Sequence, residues 1–221
     1  MAELIFYPVE DADTISTMTG AHLTYPPPVS YVEDPSALYS TTSLKTKTGE
    51  YYSSSCTFLR FDTSGLPDAA VITVATLKVR CGRSGDADGR NLNVEWYDPS
   101  NWPIQTHDHV DLAGTNAASV DLSLFPPSTA WDFYEIALSN PTNVSKTGFT
   151  GFRLGISGNA PSGDNSIMTN NHHAEILDPA AVPQLIVTYN AFSHKVLGCL
   201  PTTIAKIMGI PIANISKFNG V

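Results

Sequence analysis

Few side chains in this chain stand at spacings that chemistry requires. His107 and His109 flank Asp108 and would share one face of a strand, close enough to chelate a metal. The competing reading is a solvated polar loop behind Asn101-Trp102-Pro103. His172 and His173 are adjacent, so a strand would point them to opposite faces. Asp86-Ala87-Asp88-Gly89 sets carboxylates at alternate positions before a glycine, as a calcium loop does. Arg90 then occupies the third ligand position and Tyr97 stands where the bidentate Glu belongs. An ordinary hairpin turn fits better, and Asp86 and Asp88 are kept as the residues for a structural calcium of another geometry. No other cofactor is expected.

Trp96, Tyr97 and Trp102 surround Asp98-Pro99, where flat rings could cover the apolar face of a sugar. Trp96 keeps register with Leu92 and Val94 and belongs to a core, which leaves Tyr97 and Trp102 as the ligand-binding candidates. Asp108/Asp111 and Asp132/Glu135 are carboxylate pairs of the kind glycosidases use, but nothing in their spacing sets a catalytic distance. Gly155-Ile156-Ser157-Gly158 falls one residue short of a nucleophile elbow. P-loop, H-E-x-x-H, paired C-x-x-C and dinucleotide motifs are missing. No catalytic residue is assigned, and no enzyme is expected.

The elements that would position these residues are strands. Thr (22), Ser (21), Asn (13), Gly (15) and Pro (16) together make 87 of the 221 residues, and charged residues only 15%. That balance favours pleated surfaces and turns over long helices. In Ala75-Thr76-Leu77-Lys78-Val79-Arg80-Cys81 the apolar residues fall on one face and the polar ones on the other. Leu92–Trp96, Phe152–Ile156 and Leu185–Tyr189 repeat the pattern, and further strands are expected in 4–9, 39–45, 51–61, 119–124, 131–136 and 174–177. Turn signals separate them, among them Gly65-Leu66-Pro67-Asp68, Asp98-Pro99 and Asn140-Pro141. Strands with one wet and one dry face are satisfied by two packed antiparallel sheets. The expected fold is all-β, an antiparallel β-sandwich of the jelly-roll type over 1–190, followed by a separate tail over 191–221.

The segment Leu59-Arg60-Phe61-Asp62-Thr63-Ser64-Gly65-Leu66-Pro67 with its continuation Ile72-Thr73-Val74-Ala75-Thr76-Leu77-Lys78-Val79 resembles the DNRLRE-type domains. These are carbohydrate-binding-module-like jelly rolls of bacterial surface proteins. The ending Pro183-Gln184-Leu185-Ile186-Val187-Thr188-Tyr189 is similar to the last strand of the same family. The resemblance implies a jelly roll that serves as a surface-binding or structural module.

Net charge is −9, and no Lys/Arg run exists to follow a phosphate backbone, so nucleic acid is not an expected partner. No apolar stretch approaches the length of a membrane helix, and the N-terminus lacks the basic and apolar regions of a Sec signal; folding in a cytoplasm without membrane insertion is expected. Cys56, Cys81 and Cys199 are too few and too scattered for a disulfide framework, and the first two read as small core residues.

The tail is the more distinctive sequence. Residues 195–221 carry three Lys and no acid, while 1–194 carry all 21 acids and nine basic residues. Lys195, Lys206 and Lys217 recur every 11 residues, as do Val196, Ile207 and Phe218, then Gly198, Gly209 and Gly220, with Ile204 and Ile215 also in register. Each unit reads as one helical turn capped by Thr203 or Asn214, or as a short β-ribbon. A unit of this size cannot bury its own apolar residues and needs a partner. Such I-x-K-φ-x-G-φ tails resemble those closing many tailed-phage structural proteins. The expectation is therefore a virion protein assembled in the host cytoplasm, in contact with other virion proteins, forming a homo-oligomer such as a trimer, and touching surface polysaccharide. A glycan-binding module is the alternative.

Overall fold

Runs of alternating apolar residues become strands, and Asp, Pro and Gly clusters between them mark where strands stop. The structure, a computed structural model, describes residues 1–8, 14–19, 23–33, 42–84, 89–109, 114–125, 132–160, 166–170, 182–190, 206–207 and 210–211. The strands in chain order are β1 (Ala2–Phe6), β2 (Thr14–Thr19), β3 (Val29–Glu33), β4 (Thr42–Thr48), β5 (Tyr51–Asp62), β6 (Val71–Ser84) and β7 (Asn91–Tyr97). They continue with β8 (Ala118–Asp121), β9 (Asp132–Ala137), β10 (Phe149–Ile156), β11 (Ser166–Asn170), β12 (Gln184–Asn190), β13 (Lys206–Ile207) and β14 (Ile210–Pro211). Short 3-10 turns at Pro99–Asn101, Thr106–Asp108, Leu122–Leu124 and Pro141–Asn143 are the helical segments among the described residues.

Two antiparallel sheets carry the fold. One runs β1-β12-β6-β9 and the other β5-β10-β7-β8. Counted among themselves in chain order, these strands lie 1-8-3-6 and 2-7-4-5, the doubly wound Greek-key order of a jelly roll. β2 and β4 extend the second sheet by pairing with β5, β3 adds to β2, and β11 adds to β4. The end of β6 (82–84) pairs with β11, so the backbone ladder passes from one sheet into the other. Buried Lys45 on β4 donates to the Gly158 carbonyl (2.6 Å), fastening the added strands to the end of β10.

The expected alternation is the observed one. Ala75, Leu77 and Val79 meet Leu92 and Val94, Phe152, Leu154 and Ile156, Leu185 and Val187 in one buried cluster between the sheets. Trp96 packs against that cluster, tilted on Phe152 with ring centroids 4.9 Å apart, and its indole N–H donates to the Ser139 carbonyl. Leu59 and Phe61 close β5 inward, after which Leu66 returns to the same core and Pro67 starts the link to β6. At a gain of roughly 25 cal/mol per Å² of apolar surface removed from water, this cluster supplies the main drive for folding.

Differences from expectation lie at strand ends and in polar strands. The 119–124 strand is shorter, because Asp121 accepts the Ser123 N–H (2.8 Å) and turns Leu122–Leu124 into a 3-10 segment. β2, β3 and β11 were not foreseen; β2 (TISTMT) places its apolar residues three apart, and β11 (SIMTN) places them side by side. The expected 174–177 strand, His172 and His173, and Cys199 lie outside the described residues, as does the Cys81 side chain. In the tail, Lys206 pairs with Pro211 and Ile207 with Ile210, so this unit takes the ribbon form and not the capped helical turn. Among the described residues no helix is long and apolar enough to cross a membrane, which leaves strand-built barrels unaddressed.

Candidate functional site

The second sheet buries both of its faces near β5. Cys56 and Phe58 alternate with Thr57 and Leu59, and they point away from the main core into a second cluster with Tyr97, Ile104 and Trp102. Strand pairing sets the rows on this outer face: Arg60 opposite Gly151 opposite Tyr97, and Phe58 opposite Arg153 opposite Glu95. The 98–109 loop folds over these rows. Asp98 starts it by accepting the Ser100 N–H (2.9 Å), which holds the exposed carboxyl below its ordinary range.

Gly151 explains how the loop lies so close. A Cβ there would meet the Tyr97 carbonyl at 2.6 Å and the Trp102 ring at 3.7 Å, so only a glycine leaves room. Trp102, half-buried, packs edge-on against Phe58 and Tyr97 at centroid distances of 6.4 and 6.0 Å. The Arg60 guanidinium lies over the Trp102 ring (4.9 Å) and over the Phe149 ring (4.5 Å). Phe149 is 39% exposed and gives this stack its surface.

Polar groups clamp the loop from beneath. Tyr97, only 8% exposed, donates its hydroxyl to Asp108 Oδ1 at 2.5 Å, and Asp108 Oδ2 accepts the Gln105 N–H at 2.8 Å. Burial first, and then the Asp108 carboxylate, push the Tyr97 phenol far above its ordinary range. Arg153 donates through Nε and Nη2 to Glu95 Oε2 (2.9 and 2.6 Å) and through Nη1 to the Asp108 carbonyl (2.8 Å). Glu95 Oε2 also accepts the Gly114 N–H (3.3 Å). The phenol is thus fixed as a protonated donor, and the carboxylate and guanidinium beside it hold each other.

The structure brings the two aromatic candidates together but gives them different places. Tyr97 holds the loop from inside, whereas Trp102 is part of an Arg60–Phe149 surface that can contact a flat apolar ligand. His107 and His109 sit in and beside a 3-10 turn and do not form the strand pair that chelation would need; His107 is 80% exposed and 3.7 Å from Asp108 Oδ1. Among the described residues no three His, Cys, Asp or Glu side chains gather as metal ligands. Asp86, Asp88 and Asp111 lie outside the described residues, and so do Lys195, Val196, Gly198, Ile204, Gly209, Ile215, Lys217, Phe218 and Gly220 of the tail.

Arg60, Phe149, Arg153 and Glu95 were not singled out from sequence, and Asp108 stood there as a neighbour of the two histidines and half of a carboxylate pair with Asp111, not as the acceptor for Tyr97. The available signal was the unbroken run Cys56-Thr57-Phe58-Leu59-Arg60-Phe61, whose apolar residues occupy both faces of one strand and so predict a cover on each. No family model and no curated protein matches this chain.

Proposed function

We propose that this protein is a non-catalytic structural component of a bacteriophage particle: a jelly-roll module, on the capsid or a tail appendage, joined to other subunits by its C-terminal repeat. The repeat is the observation that carries the reading. Its middle unit forms a ribbon sheet of its own, with no pairing to the jelly roll among the described residues. A two-stranded ribbon of this length is not stable in water by itself, so its apolar residues call for a neighbour. Closed symmetry, such as a trimer, is the form that gives every copy the same contact.

Light scattering after gel filtration tests this on the full chain beside a chain ending at Ala191. A defined oligomer that becomes a folded monomer on truncation supports the reading; two monomers oppose it. Absence of the protein from purified virions, by mass spectrometry, would remove the particle assignment.

A second reading, a glycan-binding module, is favoured by one observation, the Phe149–Arg60–Trp102 stack, in which Phe149 is exposed and Trp102 half-buried. Binding to a glycan array that weakens in Trp102→Ala and Phe149→Ala supports it, and a blank array opposes it.

A further inference from the structure

The last strands of the two sheets, β8 and β9, run past one another beside a groove of about 420 Å³. Thr115, Ala118 and Ser119 form one bank, and Glu135, Ala137 and Ser139 the other. At one end the sheets are tied, because Ser139 N–H donates to the Ala117 carbonyl (2.8 Å) and Ser139 Oγ to the Asn116 carbonyl (2.8 Å). Beyond that tie, each strand is paired along one edge only among the described residues. Leu138 N–H bonds back to the Ala75 carbonyl (2.9 Å), so by antiparallel alternation the backbone groups of Glu135 and Ala137 point away from β6. Leu122 N–H bonds to the Arg90 carbonyl (2.9 Å), which in the same way turns those of Ser119 and Asp121 away from β7. Two rows of backbone donors and acceptors thus border one groove between small side chains.

Open strand edges accept further strands, and natural proteins cover them. This chain carries an element that needs what the groove offers: the ribbon of β13 and β14, which pairs only with itself among the described residues. Charge agrees, since residues 195–221 hold three Lys and no acid while the remainder is strongly acidic. Glu135 stands on the groove bank, its Oε1 3.5 Å from Lys78 Nζ and its side chain 61% exposed. We infer that the β8–β9 groove receives β13 of a second copy of this chain, added as an extra strand along the outward edge of β9 at Glu135 and Ala137. The inference rests on the reading of the repeat as an assembly element and names the surface it engages.

Full-length variants test it. Ala137→Pro removes an N–H that points away from β6, and Glu135→Lys reverses the charge on the bank; circular dichroism checks that each keeps its strands. Both are expected to weaken self-association by at least about tenfold in light scattering, as loss of a paired edge or of charge complementarity does, and Lys206→Glu is expected to restore association to Glu135→Lys. An oligomer untouched by both groove variants but dissolved by Ile207→Asp overturns the groove and leaves the assembly role of the repeat standing. A wild-type chain that is monomeric at all concentrations overturns both. Cysteines placed by Ala137→Cys and Ile207→Cys are expected to join two chains; a disulfide closing within one chain overturns the second-copy form.

Discussion

The inter-sheet core and the cluster under the 98–109 loop bury similar rings by different means. In the core, Phe61, Phe152 and Leu154 are held by other apolar side chains from strands on both sheets, with backbone needs met by the ladders. Under the loop, Phe58, Tyr97 and Trp102 are held by one sheet below and an irregular segment above, and that segment depends on Asp108, Arg153 and Glu95 for its shape. Area alone keeps the first together. The second needs area and a set of directed polar bonds, so it should open first and separately.

The comparison breaks most visibly at Phe152, which lies fully buried against Phe61 and Trp96. Phe152→Ala is expected to lower global stability by about 3–5 kcal/mol in urea unfolding, with an unchanged slope. If the protein instead loses only the loop, the two regions are not distinct. Gly151→Ala is the intermediate case, since its Cβ must displace the Tyr97 carbonyl now 2.6 Å from that position. A loss of about 1–3 kcal/mol is expected, accompanied by a changed tryptophan emission as Trp102 lifts from the sheet.

Tyr97→Phe sharpens the contrast further. It keeps the ring and removes the bond to Asp108, at an expected cost of about 1 kcal/mol seen as faster amide exchange in 98–109 while the β-ladders keep their protection. It also has a pH signature. The folded phenol binds its proton more tightly than the unfolded one, so its contribution is complete below the unfolded value near pH 10 and is lost as pH rises beyond it. Alkaline destabilisation is therefore expected to begin at higher pH in Tyr97→Phe than in the wild type.

The smallest effect is expected at Asp98. Its carboxyl, like that of Asp121, is lowered first by the N–H and then by the hydroxyl of the Ser two residues on, and that of Asp62 first by the Ser64 hydroxyl and then by its N–H. The unfolded chain takes up these protons first, so the contribution is present above about pH 4 and disappears as pH falls through the lowered folded values. Asp98→Ala should move the acid unfolding midpoint only slightly, because all three groups are solvent-exposed.

How much of this was legible depended on which face a residue served. The inward set of β6, β7, β10 and β12 was readable because large apolar residues recur at every second position, and period two survives in the sequence. On β5 both faces are buried, so Cys56 and Phe58 blur the alternation that Leu59 and Phe61 would otherwise give. Trp96 was placed in the core by register, and Tyr97, one residue on, falls on the opposite face for the same reason. The partners of Tyr97 could not be read: Asp108 lies 11 residues away across an irregular loop, and Arg153 reaches it only through strand pairing. In the tail the repeat was visible by period alone, but period 11 does not choose between a helical turn and a ribbon.

The register of β1 on β12, with Ala2 opposite Tyr189, also decides how the module would bear a load. The two strands are antiparallel, so the start of the jelly roll and its exit toward the repeat emerge at the same end. Tension applied at those two points acts across the ladder and opens it one rung at a time, like a zip, instead of shearing all rungs together. Pulled between its ends the module is compliant. A copy loaded through its sheet edges, with the strands in shear, is the stiff one.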